Sequence, residues 1–91
     1  MRVVVAYDIS SDRRRNQVAQ ILEGTLTRVQ YSVFEGDVPE QQLGHAVKKA
    51  TAVIENETDS IRVYPLCATC ATKIESHGRT IATVTEDIRI L

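Results

Sequence analysis

A near-continuous apolar run, Val3-Val4-Val5-Ala6-Tyr7, ends in a single carboxylate, Asp8, and gives way at once to a helical pattern. An unbroken apolar run, as opposed to an alternating one, marks a strand that is covered on at least one face and central in its sheet. The rest of the chain must therefore supply its neighbours. Ser10, Ser11 and Asp12 are helix-capping types, and beyond them Val18, Ile21, Leu22 and Thr25 recur at three- and four-residue intervals, which predicts an amphipathic helix from about Asp12 to Glu23 that ends near Gly24. From Thr27 the period changes. Val29, Tyr31 and Val33 alternate with polar residues, and Phe34 then follows Val33 directly and shifts the phase. Such a shift signals a bulge or a hairpin reversal, so two short antiparallel strands are expected between about Thr27 and Val38, with the reversal near Tyr31 or Ser32.

Pro39 suits a first helical position and Glu40 the positive end of a helix dipole, while Leu43, Val47, Ala50 and Ile54 trace one stripe. A second helix is expected from about Pro39 to Asn56. Ile61, Val63 and Pro65 alternate with Arg62 and Tyr64, giving a fourth strand that stops at the proline. The order β-α-β-β-α-β is the split βαβ arrangement, an α+β two-layer sandwich with both helices on one face of an antiparallel sheet. The opposite sheet face is left bare, and its simplest cover is a second copy of the chain.

With 91 residues, 43% of them hydrophobic, the chain builds one domain, spanning 1–91, with a single modest core. Self-association would add stability. A short helix or turn is expected around Ala68 to Ser76, closed by Gly78. The segment from about 79 to 91 ends in Ile88-Arg89-Ile90, which alternates like an edge strand that the four-stranded sheet does not need. Such a strand can dock on a partner subunit or another protein. Nothing resembles a signal peptide, a membrane span, an internal repeat or a flexible linker, so a cytoplasmic location and no membrane partner are expected.

The formal net charge is −1, so any nucleic-acid binding must come from a local cluster. Cys67 and Cys70 form one CATC pair, and the two histidines, His45 and His77, lack the spacing that would complete a structural zinc site. A thioredoxin-like role is disfavoured because no strand is expected to feed this CxxC into a long helix. Two reduced, partly buried thiols acting as small hydrophobes is the reading adopted.

Asp8 has two readings. It caps the turn by accepting N–H groups from Ile9 to Ser11, or it projects into a crevice at a strand end as a ligand. Asp12 sits where a helix N-cap belongs, which accounts for it. Arg13, Arg14 and Arg15 span about two thirds of a helical turn and cannot all face one way. Cations in a first turn oppose the macrodipole, which points to another use such as phosphate contact, with Arg28 adding a further cation.

Read together, YDISSDRRRNQV (Tyr7 to Val18), TRVQYSVFEG (Thr27 to Gly36) and DSIRVYPLC (Asp59 to Cys67) resemble the CRISPR-associated family called Cas-two, the smaller of the two core spacer-acquisition proteins. The resemblance covers nearly the whole chain. It implies a ferredoxin-like fold that dimerises with the strand-end aspartates facing each other, and a C-terminal strand that crosses to a neighbouring subunit. It implies a magnesium-dependent endonuclease acting on RNA or double-stranded DNA, with Mn²⁺ as a substitute ion, and an adaptor between two dimers of the larger integrase Cas-one. Carried over by position, Asp8 matches the metal-binding aspartate, and Tyr7, Arg15, Arg28 and Phe34 match positions around the cleft or core. Asp8 is then the expected catalytic residue, Arg14, Arg15 and Arg28 are the expected nucleic-acid contacts, and Tyr7 and Phe34 the expected cleft or core support. Where relatives read L-E-x-Y-G-T-R-V-Q this chain reads LEGTLTRVQ, so Gly24 is expected to supply a positive φ two residues early.

One carboxylate per chain is a sparse magnesium site, and a two-fold axis that sets Asp8 against Asp8 doubles it. The dimer is then the expected catalytic unit. The absence of a well-placed histidine or second carboxylate predicts a slow enzyme. The competing expectation is a non-catalytic dimeric adaptor that holds duplex DNA by its phosphates and bridges integrase dimers. An RNA-cleaving toxin on the same fold ranks below both.

Overall fold

A computed structural model of the chain describes residues 1–78. The first strand, β1 (Arg2–Asp8), alternates in burial: Val3, Val5 and Tyr7 are buried, Val4 and Ala6 half-buried, and Asp8 exposed. It is central, as the unbroken apolar run requires. The sheet order is β2-β3-β1-β4, with β2 (Thr27–Gln30), β3 (Val33–Asp37) and β4 (Ser60–Leu66). β1 pairs antiparallel with both β3 and β4, so Val5 faces Phe34 on one side and Val63 on the other. Helices α1 (Asp12–Glu23) and α2 (Glu40–Thr51) complete the β-α-β-β-α-β order.

The core lies between the sheet and the helices. Phe34, Leu22, Val3, Val5 and Val18 are its largest fully buried side chains, each contributing about 1.5–3 kcal/mol of transfer free energy on burial. α1 buries Val18, Ala19 and Leu22, and α2 buries Leu43, Ala46 and Ala50.

Ser11, not Asp12, caps α1: its Oγ accepts the Arg14 backbone N–H at 3.2 Å. Asp12 is the first helical residue, where its charge favours the dipole. At the other end Gly24 keeps right-handed helical angles, with φ −69° and ψ −17°. The positive φ expected there is not used. The turn closes instead through Thr25 and Leu26, whose N–H groups both donate to the Leu22 carbonyl at 3.0 and 2.7 Å. Leu26 is buried and lies over Gly36 of β3, where an added Cβ would sit 3.1 Å from Leu26 Cδ2. Leu26 thus anchors the departure from the relatives' motif by packing rather than by backbone freedom.

The phase shift between Tyr31 and Phe34 is a hairpin reversal at Tyr31 and Ser32, and a bulge also sits between Arg28 and Gln30. α2 is shorter than expected. Pro39 is its N-cap rather than its first helical residue, and the helix ends at Thr51 instead of near Asn56. The chain leaves the helix because Val53 N–H turns back to the Ala50 carbonyl at 3.1 Å and Glu55 N–H donates to the Asp59 carboxylate at 2.9 Å. Val53 and Ile54 still pack on the core from outside the helix. β4 runs one residue past Pro65, which faces Val3 in register. Among the described residues β4 is an edge strand, where a missing N–H is tolerated. A four-residue helix, α3 (Ala68–Ala71), follows, and Gly78 has φ +79°. The C-terminal strand segment expected from about 79 lies outside the described residues.

The sheet face away from the helices carries Val4, Ala6 and Asp8 of β1, Val33 and Glu35 of β3, and Arg62 and Tyr64 of β4, because residues opposed in an antiparallel register share a face. Arg2 reaches Glu35 there at 3.6 Å. No helix among the described residues is long and apolar enough to cross a membrane.

Candidate active site

Asp8 is the last residue of β1, set opposite Ser60, and its exposed carboxylate accepts no hydrogen bond from any described residue. The turn that it was expected to cap is capped from elsewhere. Asp59, at the entry to β4, receives the Ser10 backbone N–H at 3.1 Å and the Ser10 hydroxyl at 3.3 Å on Oδ1. Oδ2 receives Glu55 N–H at 2.9 Å and Arg14 Nε at 2.8 Å, and Thr58 Oγ1 donates to Oδ1 at 3.0 Å. The Asp59 side chain is fully shielded from solvent. The hydrogen bond from Arg14 leads the causes that hold its carboxyl well below the usual carboxylate range, with the Glu55 and Ser10 amides adding to it against the opposing effect of burial.

Asp59 therefore does the turn-binding that leaves Asp8 unengaged. It also fixes the fate of Arg14. Of the three consecutive arginines, Arg13 is exposed, Arg14 is held by Asp59, and Arg15 turns back toward the strand end. Arg15 Nη1 donates to the Ile9 carbonyl at 2.7 Å, its Nη2 pairs with Asp12, and its guanidinium carbon lies 5.9 Å from the centroid of the Tyr31 ring.

Behind the strand end an aromatic and cationic cluster forms on the helix side of the sheet. Tyr7 stacks on Phe34 with centroids 6.1 Å apart and planes at 27°, and the Arg28 guanidinium carbon sits 5.3 Å from the Phe34 centroid. Arg28 also lies 3.9 Å from Glu23. The Tyr7 hydroxyl, Arg15 Nε and Arg28 Nε are buried atoms without a hydrogen-bond partner among the described residues. Burial raises the Tyr7 pKa, and the nearby Arg28 charge offsets part of that rise. The structure thus gathers Tyr7, Arg15, Arg28 and Phe34 with Tyr31, and draws Arg14 away to Asp59. Asp8 adjoins the cluster in sequence but points to the other face.

Two residues of this region carry more than the sequence reading gave them. Tyr31 reads as a hairpin residue, yet it is the platform for Arg15. Asp59 reads as the start of a strand motif, and its signal was the polar Thr58-Asp59-Ser60 step placed before an apolar alternation. The cysteines need a correction as well. Both are exposed rather than partly buried, and β4 does run directly into them, although the helix that follows has only four residues. Among the described residues no three His, Cys, Asp or Glu side chains gather as a metal site.

An antiparallel four-stranded sheet with two helices on one face and an exposed carboxylate closing its first strand defines a ferredoxin-like α+β domain. The family model for CRISPR associated protein Cas2 matches residues 1–74, and the chain belongs to that family. It is 41% identical over 75 residues to the CRISPR-associated endoribonuclease Cas2 3 of Synechocystis sp., covering 82% of each chain. It is also 41% identical over 80 residues to the CRISPR-associated endoribonuclease Cas2 4 of Rhodospirillum rubrum, covering 88% of this chain and 64% of that longer one. Among solved structures, Cas2 of Streptococcus pyogenes at pH 6.5 superposes with a TM-score of 0.75 at 32% identity, covering 86% of this chain and all of that one. A hypothetical protein of Thermus thermophilus, TT1823, superposes with a TM-score of 0.72 at 29% identity, covering 91% and 94% of the two chains.

Proposed function

We propose that the protein is a metal-dependent endonuclease that hydrolyses phosphodiester bonds of RNA or DNA, works as a homodimer, and takes part in spacer acquisition with the Cas-one integrase. The observation that carries this reading is the state of Asp8: a solvent-facing carboxylate at a strand terminus, with both oxygens uncommitted because Asp59 binds the adjoining turn. Family membership supports it, since curated relatives are named endoribonucleases.

The residues fit a divalent ion only as a pair. One Asp8 per chain is a sparse ligand set, whereas two copies related by a two-fold axis through the bare sheet face would present two carboxylates with water and substrate phosphate filling the remaining positions. Mg²⁺, or Mn²⁺ in its place, would supply Lewis-acid polarisation of the phosphate and a bound water of lowered pKa. Asp8 would hold that ion from the end of a strand whose body is paired on both sides. The Arg15 and Arg28 side chains, each part-exposed with a buried Nε, are the cations offered to steady phosphate oxygens. Neither His45 nor His77 pairs with Asp8, and His77 is engaged with Glu75 at 2.9 Å. Among the described residues no imidazole is set beside Asp8 as a general base, and turnover is expected to be slow.

The test is cleavage of labelled RNA and duplex DNA by wild type and Asp8→Asn in Mg²⁺, with chelator controls, beside a spacer-integration assay with the partner integrase. Loss of cleavage in the variant supports the reading. Full metal-dependent cleavage by Asp8→Asn dimers would overturn it. Integration that survives without any cleavage would make bridging of integrase dimers the protein's working role.

A further inference from the structure

The CATC motif lies at the far end of the sheet from Asp8. Asp8 pairs with Ser60 at one end of the β1–β4 ladder, and Arg2 pairs with Leu66 at the other, immediately before Cys67. The length of β1, seven residues, puts ~20 Å between the two ends. Nothing in the proposed phosphodiester chemistry uses these thiols.

Cys67 ends the extended chain leaving β4 and opens α3, and Cys70 sits on the turn above it. Both thiols are free and exposed. The Cys70 backbone N–H donates to Cys67 Sγ at 3.3 Å. Cys67 Sγ receives this amide from its neighbour, so the pair is asymmetric. The Cys70 amide is the leading cause that lowers the Cys67 thiol pKa, and the adjacent Cys67 sulfur raises that of Cys70. Among the described residues no third His, Cys, Asp or Glu joins them, so the pair lacks the donor set of a closed metal centre. An exposed, hydrogen-bond-stabilised sulfur with a second thiol in reach is the arrangement of an attacking and a resolving cysteine.

We propose that Cys67 and Cys70 form a dithiol site that undergoes thiol–disulfide exchange with low-molecular-weight disulfides of the glutathione class, with Cys67 attacking and Cys70 resolving. Cys67 thiolate attacks one sulfur of the oxidant; the oxidant's S–S bond breaks, a Cys67 mixed disulfide forms, and one glutathione leaves as thiolate and takes up a proton. Cys70 then gives up its proton and its sulfur attacks Cys67 Sγ; the mixed disulfide breaks and the second glutathione leaves as the thiol. The protein loses two electrons and two protons, and the oxidant gains both. Closure replaces the amide contact to a free Cys67 thiolate with a covalent clasp on the turn that follows β4.

The experiment treats the full wild-type chain with glutathione disulfide at pH 7 and follows intact mass, free-thiol titre and the order of alkylation by iodoacetamide. The expected product is a chain lighter by two hydrogens, not covalently joined to another, with no titratable thiol, and Cys67 should alkylate ~10-fold faster than Cys70 in the reduced chain. Cys70→Ser should hold a stable glutathione adduct on Cys67, and Cys67→Ser should react at least ~10-fold more slowly than wild type. The proposal is overturned if wild type keeps two free thiols, if disulfide appears only between chains, or if the two cysteines alkylate at equal rates. The wild-type readouts stand whether or not either variant folds, and none depends on nuclease activity.

Discussion

Arg14 Nε and Asp59 Oδ2 meet at 2.8 Å across 45 positions of sequence, joining the first turn of α1 to the entry of β4 behind the strand end that carries Asp8. This pairing divides the labour between two acidic residues. Asp59 is enclosed and fully engaged, and Asp8 is open and unengaged. Removing the first should damage the fold, and removing the second should damage only chemistry.

Asp59→Ala should lower Tm by on the order of 10 °C, because it leaves the Ser10 and Glu55 amides and the Arg14 guanidinium without their acceptor. The pH dependence follows from the depressed folded-state pKa. Asp59 stabilises the fold fully above its unfolded pKa of about 4, and that stabilisation is lost as pH falls below it toward the folded value. Thermal melts between about pH 5 and pH 2 should therefore fall more steeply for wild type than for Asp59→Asn.

Asp8→Asn should leave Tm within about 2 °C of wild type, since the exposed carboxylate makes no hydrogen bond within the described chain. Its Mg²⁺-dependent cleavage should fall by at least ~100-fold. A large drop in Tm with cleavage retained would reverse the roles assigned to Asp8 and Asp59.

The arginines should separate in binding measurements. Arg15→Ala and Arg28→Ala should each weaken nucleic-acid binding across sequences and reduce the salt slope of log K by about 1. Arg14→Ala should lower Tm with little change in that slope, because its partner Asp59 is shielded from solvent, whereas the Asp12 that pairs with Arg15 is exposed and can release it to a phosphate. Binding titrated over a range of salt concentrations, alongside thermal melts, reads both effects.

Phe34→Ala should cost about 3–5 kcal/mol, a large share of the stability of a small domain. Phe34 is fully buried, faces Val5 in register, and carries both the Tyr7 stack and the Arg28 contact. Phe34→Leu should cost less than half as much, and chemical denaturation resolves the two.

Much of the architecture was legible because the period of the apolar residues changes where the elements change. The unbroken Val3–Tyr7 run marked the central strand, and the Val33-Phe34 phase shift marked the hairpin. The readings that failed were those decided by particular hydrogen bonds and packing contacts that residue periodicity does not show. Asn56 could not be read as lying beyond α2 while Asp59's claim on Glu55 N–H was unseen. Gly24 looked like a left-handed cap because glycine permits one, but burial of Leu26 closes the turn without it. The place of Asp8 at an exposed strand terminus was legible from the end of an apolar run. The commitment of Arg14 was not, since three identical side chains in a row carry no local mark of which one finds a carboxylate on another element.

The contact of Leu26 with Gly36 binds the fate of two positions that sit in different elements. A side chain at position 36 would demand space already occupied from position 26, so the two should drift as a pair through evolution. A methyl group at 36 fits only where the tip of Leu26 gives way by a few tenths of an ångström, so a larger side chain there calls for a smaller one at 26.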